Sequence, residues 1–334
     1  MAKSSTTNKK GGGMEKYGAD FLTKLLRDMM LIRRFEEKAA QQYGLRKIGG
    51  FCHLYNGQEA VAVGAVAALD LSKDYLLTSY RDHGHAIAVG MDPKHVMAEL
   101  YGKITGCARG KGGSMHMFDA ERHYLGGNGI VGAQIPMATG VAFRNMYMND
   151  GGVTLCFFGD GAIHQGAFHE SLNLAALWKL PAIYIVENNQ FGMGTAVKRA
   201  SAVEDFAVKA DGYGLPGYTI NGMDVLEVYE DLTKIGDQAR KDGTAAVVDI
   251  KTYRYKGHSM SDPAKYRTKE ELEAYKQQDP IVQLRLKMRE AGLIDEEQFS
   301  KLDQEVKQQV EEAVEFAEKS EEPALHTMYE DILA

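Results

Sequence analysis

The sequence predicts an α/β protein, with a mostly parallel sheet, helices on both faces and a C-terminal helical arm. Near-continuous apolar runs at 153–158 (VTLCFF) and 181–186 (PAIYIV) have the composition of strands buried on both faces. Segments with apolar residues at helical spacing alternate with them. After Asp279 the runs stop, and Leu284, Met288, Leu302, Val306, Val310 and Val314 recur among Glu, Lys and Gln instead.

The elements follow in order. Residues 1–16 are polar and read as a disordered lead without the apolar core of a signal peptide. Phe21, Leu25, Met29, Ile32 and Phe35 place an amphipathic helix over about 17–43. QEAVAVGAVAAL reads as a helix of small residues over 58–69, and YLLTS as a strand over 75–79 that runs into Tyr80, Arg81, Asp82, His83 and His85. Residues 102–132 hold nine glycines and few apolar runs, so this stretch reads as a long irregular segment with close backbone approaches. A helix near 135–148, a strand at 153–158, a helix at about 164–178 and a strand at 181–186 come next, then strands at 217–220 and 245–253. The domain is expected to span 17–280, with 281–334 as its helical extension.

Composition narrows the function. A chain of 334 residues with 44% hydrophobic and 25% charged residues has a core to bury. Its net charge of -7 gives no general reason to approach nucleic acid or an anionic membrane, so an anionic ligand must be held by local chemistry. Cys52, Cys107 and Cys156 are too scattered for a disulfide framework or a zinc site, and no stretch is apolar enough to span a membrane. Reduced thiols in a cytoplasmic compartment are expected. The HxH of His83 and His85 and the pair His164 and His169 lack further zinc ligands and read as structural.

Chemistry concentrates in residues 159–190, GDGAIHQGAFHESLNLAALWKLPAIYIVENNQ. A buried strand ending in Gly159-Asp160-Gly161 brings the Asp160 carboxylate to the carboxyl edge of the sheet, where a hard cation can sit. The next helix aims its N-terminus at the same place and favours a phosphate there. After one crossover the following strand ends in Glu187-Asn188-Asn189 and returns an amide oxygen to that edge. A carboxylate, an amide oxygen, a nearby main-chain carbonyl and two phosphate oxygens suit magnesium, which keeps at least one water. Either dipeptide alone is a common turn; the strand-helix-strand unit joining them gives the pair its meaning. Gly127 to Gly132 also match G-x-G-x-x-G, but DAERHYLG before them does not read as a buried strand, and Asp150 lies in a polar turn. That match is set aside as a dinucleotide motif.

GFCHLYNGQEA, TSYRDHGHA, GKGGSMHMF, GGNGIVGAQIP, GDGAIHQG, NNQFGMGT and YRYKGHSMSDPAKYR together resemble the alpha subunits of the thiamine-diphosphate-dependent 2-oxo acid dehydrogenases. The resemblance covers about 17–285, and GHSMSDP with the GFCHLY block are more similar to the pyruvate enzymes than to the branched-chain or acetoin ones. It implies the thiamine-diphosphate-binding fold, with magnesium held by Asp160, Asn189 and the carbonyl of Phe191. It implies Gly161 and Ala162 amides near the diphosphate, contacts from Tyr80 and Arg81, and the backbone of Gly129 and Val131 at the aminopyrimidine. His258 corresponds to a histidine near the diphosphate and substrate channel, His53 to one at the mouth of the site, and Gln165 to a residue one helical turn along that approaches substrate.

The same resemblance implies pyruvate as substrate, acetyl transfer to the lipoyl group of a dihydrolipoyl acetyltransferase, and a beta subunit in an alpha-two beta-two heterotetramer. The beta chain supplies the glutamate beside the pyrimidine, so this chain alone is expected to be inactive. Tyr253 to Arg267 is expected to be a loop that orders with cofactor. Ser259 corresponds to a serine phosphorylated in mitochondrial relatives, whereas Lys265 and Ala196 depart from that pattern and favour a bacterial enzyme. Two alternatives stay open: a branched-chain or acetoin dehydrogenase alpha subunit, and a nucleotide-binding regulatory protein without catalysis.

Overall fold

A computed structural model describes residues 13–332. Six strands form one sheet: β1 (Tyr75–Ser79), β2 (Tyr124–Asn128), β3 (Thr154–Gly159), β4 (Ala182–Asn188), and, after a small antiparallel pair β5 (Phe191–Gly192) and β6 (Thr195–Ala196), β7 (Gly217–Asn221) and β8 (Ala246–Lys251). Their order is β2-β1-β3-β4-β8-β7, and every neighbouring pair is parallel. Cys156 of β3 registers with Tyr184 of β4, which registers with Val247 of β8.

Alternate residues of these strands feed two cores. Leu155, Phe157, Ile183, Ile185 and Val248 face one; Cys156, Phe158, Tyr184, Val186 and Val247 face the other. The first is covered by α1 (Ala19–Gly44), α2 (Glu59–Ala67), α3 (His83–Ala88) and α4 (Pro93–Leu100), the second by α5 (Gln134–Met148) and α6 (Gly166–Trp178). The short α7 (Val197–Ala200) follows β6, and α8 (Val225–Asp242) returns to the first face. Gly64 sets how closely α2 meets α8, because a Cβ there would lie 2.8 Å from the Val228 side chain and 2.9 Å from the Val225 carbonyl oxygen.

The arm comprises α9 (Lys269–Lys276), α10 (Pro280–Glu290) and α11 (Glu296–Lys319). Asp279 caps α10 ahead of Pro280, and Asp295 with Gln298 forms a capping box on α11. Leu302, Val306, Val310 and Val314 are buried in the first core. Arg34 and Asp303 join α1 to α11 at 2.8 Å.

Two expectations change. Residues 1–12 of the expected lead lie outside the described residues, but Met14–Lys16 form a 3-10 turn, and Lys16 and Tyr17 both reach Glu230 of α8. Residues 14–16 of that stretch are therefore part of the fold. A strand also occupies the stretch ahead of Gly129 that was read as irregular. β2 has the sequence YLGGN and a single neighbour, so it shows no apolar run. It is an edge strand, whereas a dinucleotide fingerprint belongs on the strand at the reversal of strand order. The rest of the glycine-rich segment is organised by Glu99, whose buried carboxylate accepts the amides of Ala108, Gly110, Gly112 and Gly113 at 2.7–3.0 Å.

Candidate active site

The chain leaves β1 outward to β2 and then crosses back to β3 on the other side, so strand order reverses between β1 and β3. Open α/β sheets bind ligands outside the carboxyl ends of their strands at such a point. Here those ends carry Tyr80-Arg81 and Asp160-Gly161. A cleft of ≈ 200 Å³ opens between them, lined also by Val131, Gln134, Ala162, Glu187, Asn189, Phe191, Arg254 and His258. Ligand sites that enclose a drug-sized molecule run about 300–1,000 Å³. The cleft falls below that range.

The end of β3 supplies Asp160, which is 4% exposed, and burial pushes its carboxyl up to about 6. The end of β4 separates two adjacent amides. Asn188 turns away and donates to Asp249 at 3.1 Å, whereas Asn189 lines the cleft with its Nδ2 donating to Gln58 at 2.9 Å. That donation leaves Asn189 Oδ1 toward positive charge. Arg254 Nη1 meets it at 3.4 Å and donates to the Phe191 carbonyl oxygen at 3.2 Å.

Two hard oxygens thus share one cationic nitrogen beside a buried carboxylate, and this donor set fits an oxygen-ligated dication. Among the described residues no cluster of three His, Cys, Asp or Glu side chains forms a metal site.

Arg81 is buried, donating to the Leu54 carbonyl at 2.8 Å and the His258 carbonyl at 2.7 Å. Burial and then the nearby Arg254 lower it to about 10, so it is still a cation at neutral pH. The His53 ring lies 4.6 Å from Tyr80 and 5.2 Å from His258 of the lining, centroid to centroid. Burial and then Arg81 hold both imidazoles neutral, His53 at about 2 and His258 at about 4. The Nδ1 atoms of both are buried without a partner. Such atoms suit hydrogen bonding to an incoming molecule.

The structure brings together Asp160, Gly161, Ala162, Asn189, Phe191, Tyr80, Arg81, Val131 and His258 in the cleft lining, with His53 buried behind Tyr80 and His258. Gly129 lies outside the cleft lining, with a Cβ there 3.2 Å from the His116 ring. Gln165 is exposed and is not one turn into a helix; it is the N-cap of α6, because a 3-10 turn over Ala162–His164 delays the helix start. Ser259 is buried with its hydroxyl 2.9 Å from that of Ser261. Residues 253–267 form neither helix nor strand and are tied down by Arg267 to the carbonyls of Tyr255 and Lys256, and by Asp262 to the His258 amide.

Sequence reasoning missed Arg254, Gln134 and Glu187. Burial pushes Glu187 up to about 7 against the opposing pull of the Tyr55 hydroxyl and Arg81. Its signal was available, since it is an acid at the carboxyl end of an otherwise apolar strand.

Residues 27–326 match the family model described as dehydrogenase E1 component. The chain is 48% identical over 309 residues to the pyruvate dehydrogenase E1 component subunit alpha of Rickettsia bellii, covering 92% of this chain and 94% of the relative. It is 48% identical over 333 residues to the protein of that name from Rhizobium meliloti, covering 99% and 95%. With the one from Zymomonas mobilis it shares 50% identity over 313 residues, covering 93% and 88%.

Proposed function

The chain belongs to the dehydrogenase E1 component family, and from that premise we propose that it is the alpha subunit of a pyruvate dehydrogenase. It would act with a beta subunit to decarboxylate pyruvate oxidatively and pass the acetyl group to the lipoyl group of an acetyltransferase. Thiamine diphosphate, when bound, supplies the nucleophilic carbon and the electron sink that this decarboxylation requires.

The residues of this chain bind and orient. Asp160, Asn189 and the Phe191 carbonyl would hold magnesium; the Gly161 and Ala162 amides and Arg81 would meet the diphosphate. Val131, with Gly129 behind it, would border the aminopyrimidine. His53 and His258, both neutral, can accept or share a proton at their Nδ1 atoms, and Gln165 stands at the phosphate-facing helix start. The observation that carries this reading is the convergence of Asn189 Oδ1 and the Phe191 carbonyl on one positive group beside Asp160.

Residues 17–280 would form the diphosphate-binding half, with 281–334 as its extension. An apolar surface starts at the mouth with Ile130 and Val131 and continues along α5 through Met137 and Phe143 to Trp178, all at least 41% exposed. It suits the beta subunit, which would close the half-site in an alpha-two beta-two assembly. No helix among the described residues is long and apolar enough to cross a membrane, and a bacterial cytoplasmic location accords with the relatives' sources. Phosphorylation of Ser259 would place about two negative charges beside the anionic cofactor and substrate.

Co-expression with a candidate beta chain tests the proposal. Carbon dioxide release from pyruvate that needs both thiamine diphosphate and magnesium is expected. A preference for branched 2-oxo acids would overturn the choice of substrate.

A further inference from the structure

The segment that carries His53 belongs to no helix or strand, yet residues 52–55 are buried. Its backbone groups therefore need partners, and they find them on two opposite sides. The Cys52 carbonyl accepts from the Met260 amide at 2.9 Å, and the Leu54 carbonyl from Arg81 at 2.8 Å. Both partners belong to the cleft or its loop. On the other side the His53 amide donates to Ser114 Oγ at 3.1 Å, and the Tyr55 amide to Glu36 Oε1 at 2.8 Å.

Those last two acceptors are joined. The His83 ring stands between them, with Nδ1 2.9 Å from Glu36 Oε2 and Nε2 2.8 Å from Ser114 Oγ. Glu36, His83 and Ser114 come from α1, α3 and the glycine-rich segment, and none is more than 5% exposed. In kind the group is a serine, histidine and glutamate set. It is closed to substrate, however, and the serine oxygen is already engaged by the His53 amide. Burial opposes the His83 imidazolium, but the Glu36 carboxylate and then Asp82 outweigh it, so the net shift is upward.

We propose that Glu36, His83 and Ser114 are positioning residues that fix the main chain of residues 52–55 and thereby set the His53 ring against Tyr80 and His258 of the cleft lining. This rests on the reading of His53 as a residue that serves the reaction in that cleft. The relay acts at a distance: three buried side chains on the far edge of one extended segment determine where the ring on its near side stands.

The test uses the assembly with its beta chain and the variants Ser114→Ala, which removes the acceptor for the His53 amide, and Ser114→Thr, which restores a hydroxyl. For Ser114→Ala, kcat is expected to fall about tenfold, because a small misplacement at the reacting centre is costly, while KM for pyruvate and the Kd of thiamine diphosphate change by no more than about twofold. Modification of His53 by diethyl pyrocarbonate, mapped by mass spectrometry, should become several-fold faster as the ring loosens. Ser114→Thr should bring both readouts back toward wild type.

Unchanged kcat and unchanged His53 labelling in Ser114→Ala would overturn the proposal. So would a joint loss of turnover, cofactor binding and assembly that Thr does not rescue. If Ser114→Ala does not fold, His83→Gln interrupts the same relay and is held to the same outcomes. Should the wild-type assembly fail to turn over pyruvate, the functional reading falls, and His53 labelling alone then decides the relay.

Discussion

Nη1 of Arg254 lies 3.4 Å from Asn189 Oδ1 and 3.2 Å from the carbonyl oxygen of Phe191. Residues from the end of β4 and from β5 thus present oxygens to one positive charge, with Asp160 from β3 in the same cleft. Of Asp160, the Asn189 amide and the Phe191 carbonyl, only the Asp160 carboxylate can bring negative charge to offset a dication. Asp160→Asn keeps the shape and removes that charge. Affinity for thiamine diphosphate with magnesium, read by calorimetric titration, should fall about 100-fold or more, since even outer-shell changes at metal sites cost about 10–100-fold. The fold should survive, because a neutral amide is easier to bury than a carboxylate.

A second expectation concerns acid stability. His85 is fully buried against Phe157 and Tyr55, and burial holds it neutral at about 3. Its value in the unfolded chain is about 6.5. Between those values the unfolded state binds one proton more than the folded state, so this contribution is complete above about pH 6.5 and is lost as pH falls toward 3. His85→Gln should flatten the dependence of unfolding free energy on pH by about 1.4 kcal/mol per pH unit over that window. Urea unfolding at pH 7 and pH 5 measures it. The slope from His53 and His258, which are shifted in the same direction, should remain.

The glycine-rich segment gives a third. Glu99 accepts four backbone amides from residues 108–113, an arrangement that no other side chain in α4 can replace. Glu99→Ala would leave those amides without an acceptor, at roughly 1–3 kcal/mol for each one that stays buried. A loss of at least about 3 kcal/mol is expected, with proteolytic cleavage appearing first between Lys103 and Lys111. Thermal unfolding and limited trypsin digestion check both parts.

These cases show which parts of the molecule were legible. The strands β3, β4 and β8 announce themselves because both of their faces are buried and they read as near-continuous apolar runs, and the helices α1, α10 and α11 because one apolar face of each packs on the core. Asp160 and Asn189 could be expected at one cleft because strand ends in a parallel sheet converge on one edge, and both line it. β2 could not, since an edge strand made of Tyr, Leu, two glycines and Asn has no pattern to show. Arg254 and Glu99 were hidden for another reason: Arg254 is defined by contacts with residues 189–193, about sixty positions away, and Glu99 by main-chain amides of an irregular loop, neither of which a local spacing encodes. Gln165 was misplaced by the 3-10 turn that shifts the start of α6.

The last prediction concerns the partner. Phe143 is 41% exposed and its ring lies 5.5 Å from that of Trp178, itself 45% exposed, in the middle of the apolar surface that begins at the cleft mouth. An apolar face of this kind, continuous with the cleft, is disfavoured in water unless another surface covers it. Phe143→Asp would put an unpaired charge at the centre of that contact while leaving the cores of this chain untouched, because the side chain already reaches solvent. Association with the beta chain should weaken by about 100-fold or more, a cost of roughly 3 kcal/mol or greater for a buried charge without a partner. The chain alone should keep its far-ultraviolet circular dichroism and its melting temperature within a few degrees. Co-purification and sedimentation velocity measure the association. Undiminished assembly of the variant would place the beta subunit on a different face and leave the cleft without its second wall on this side.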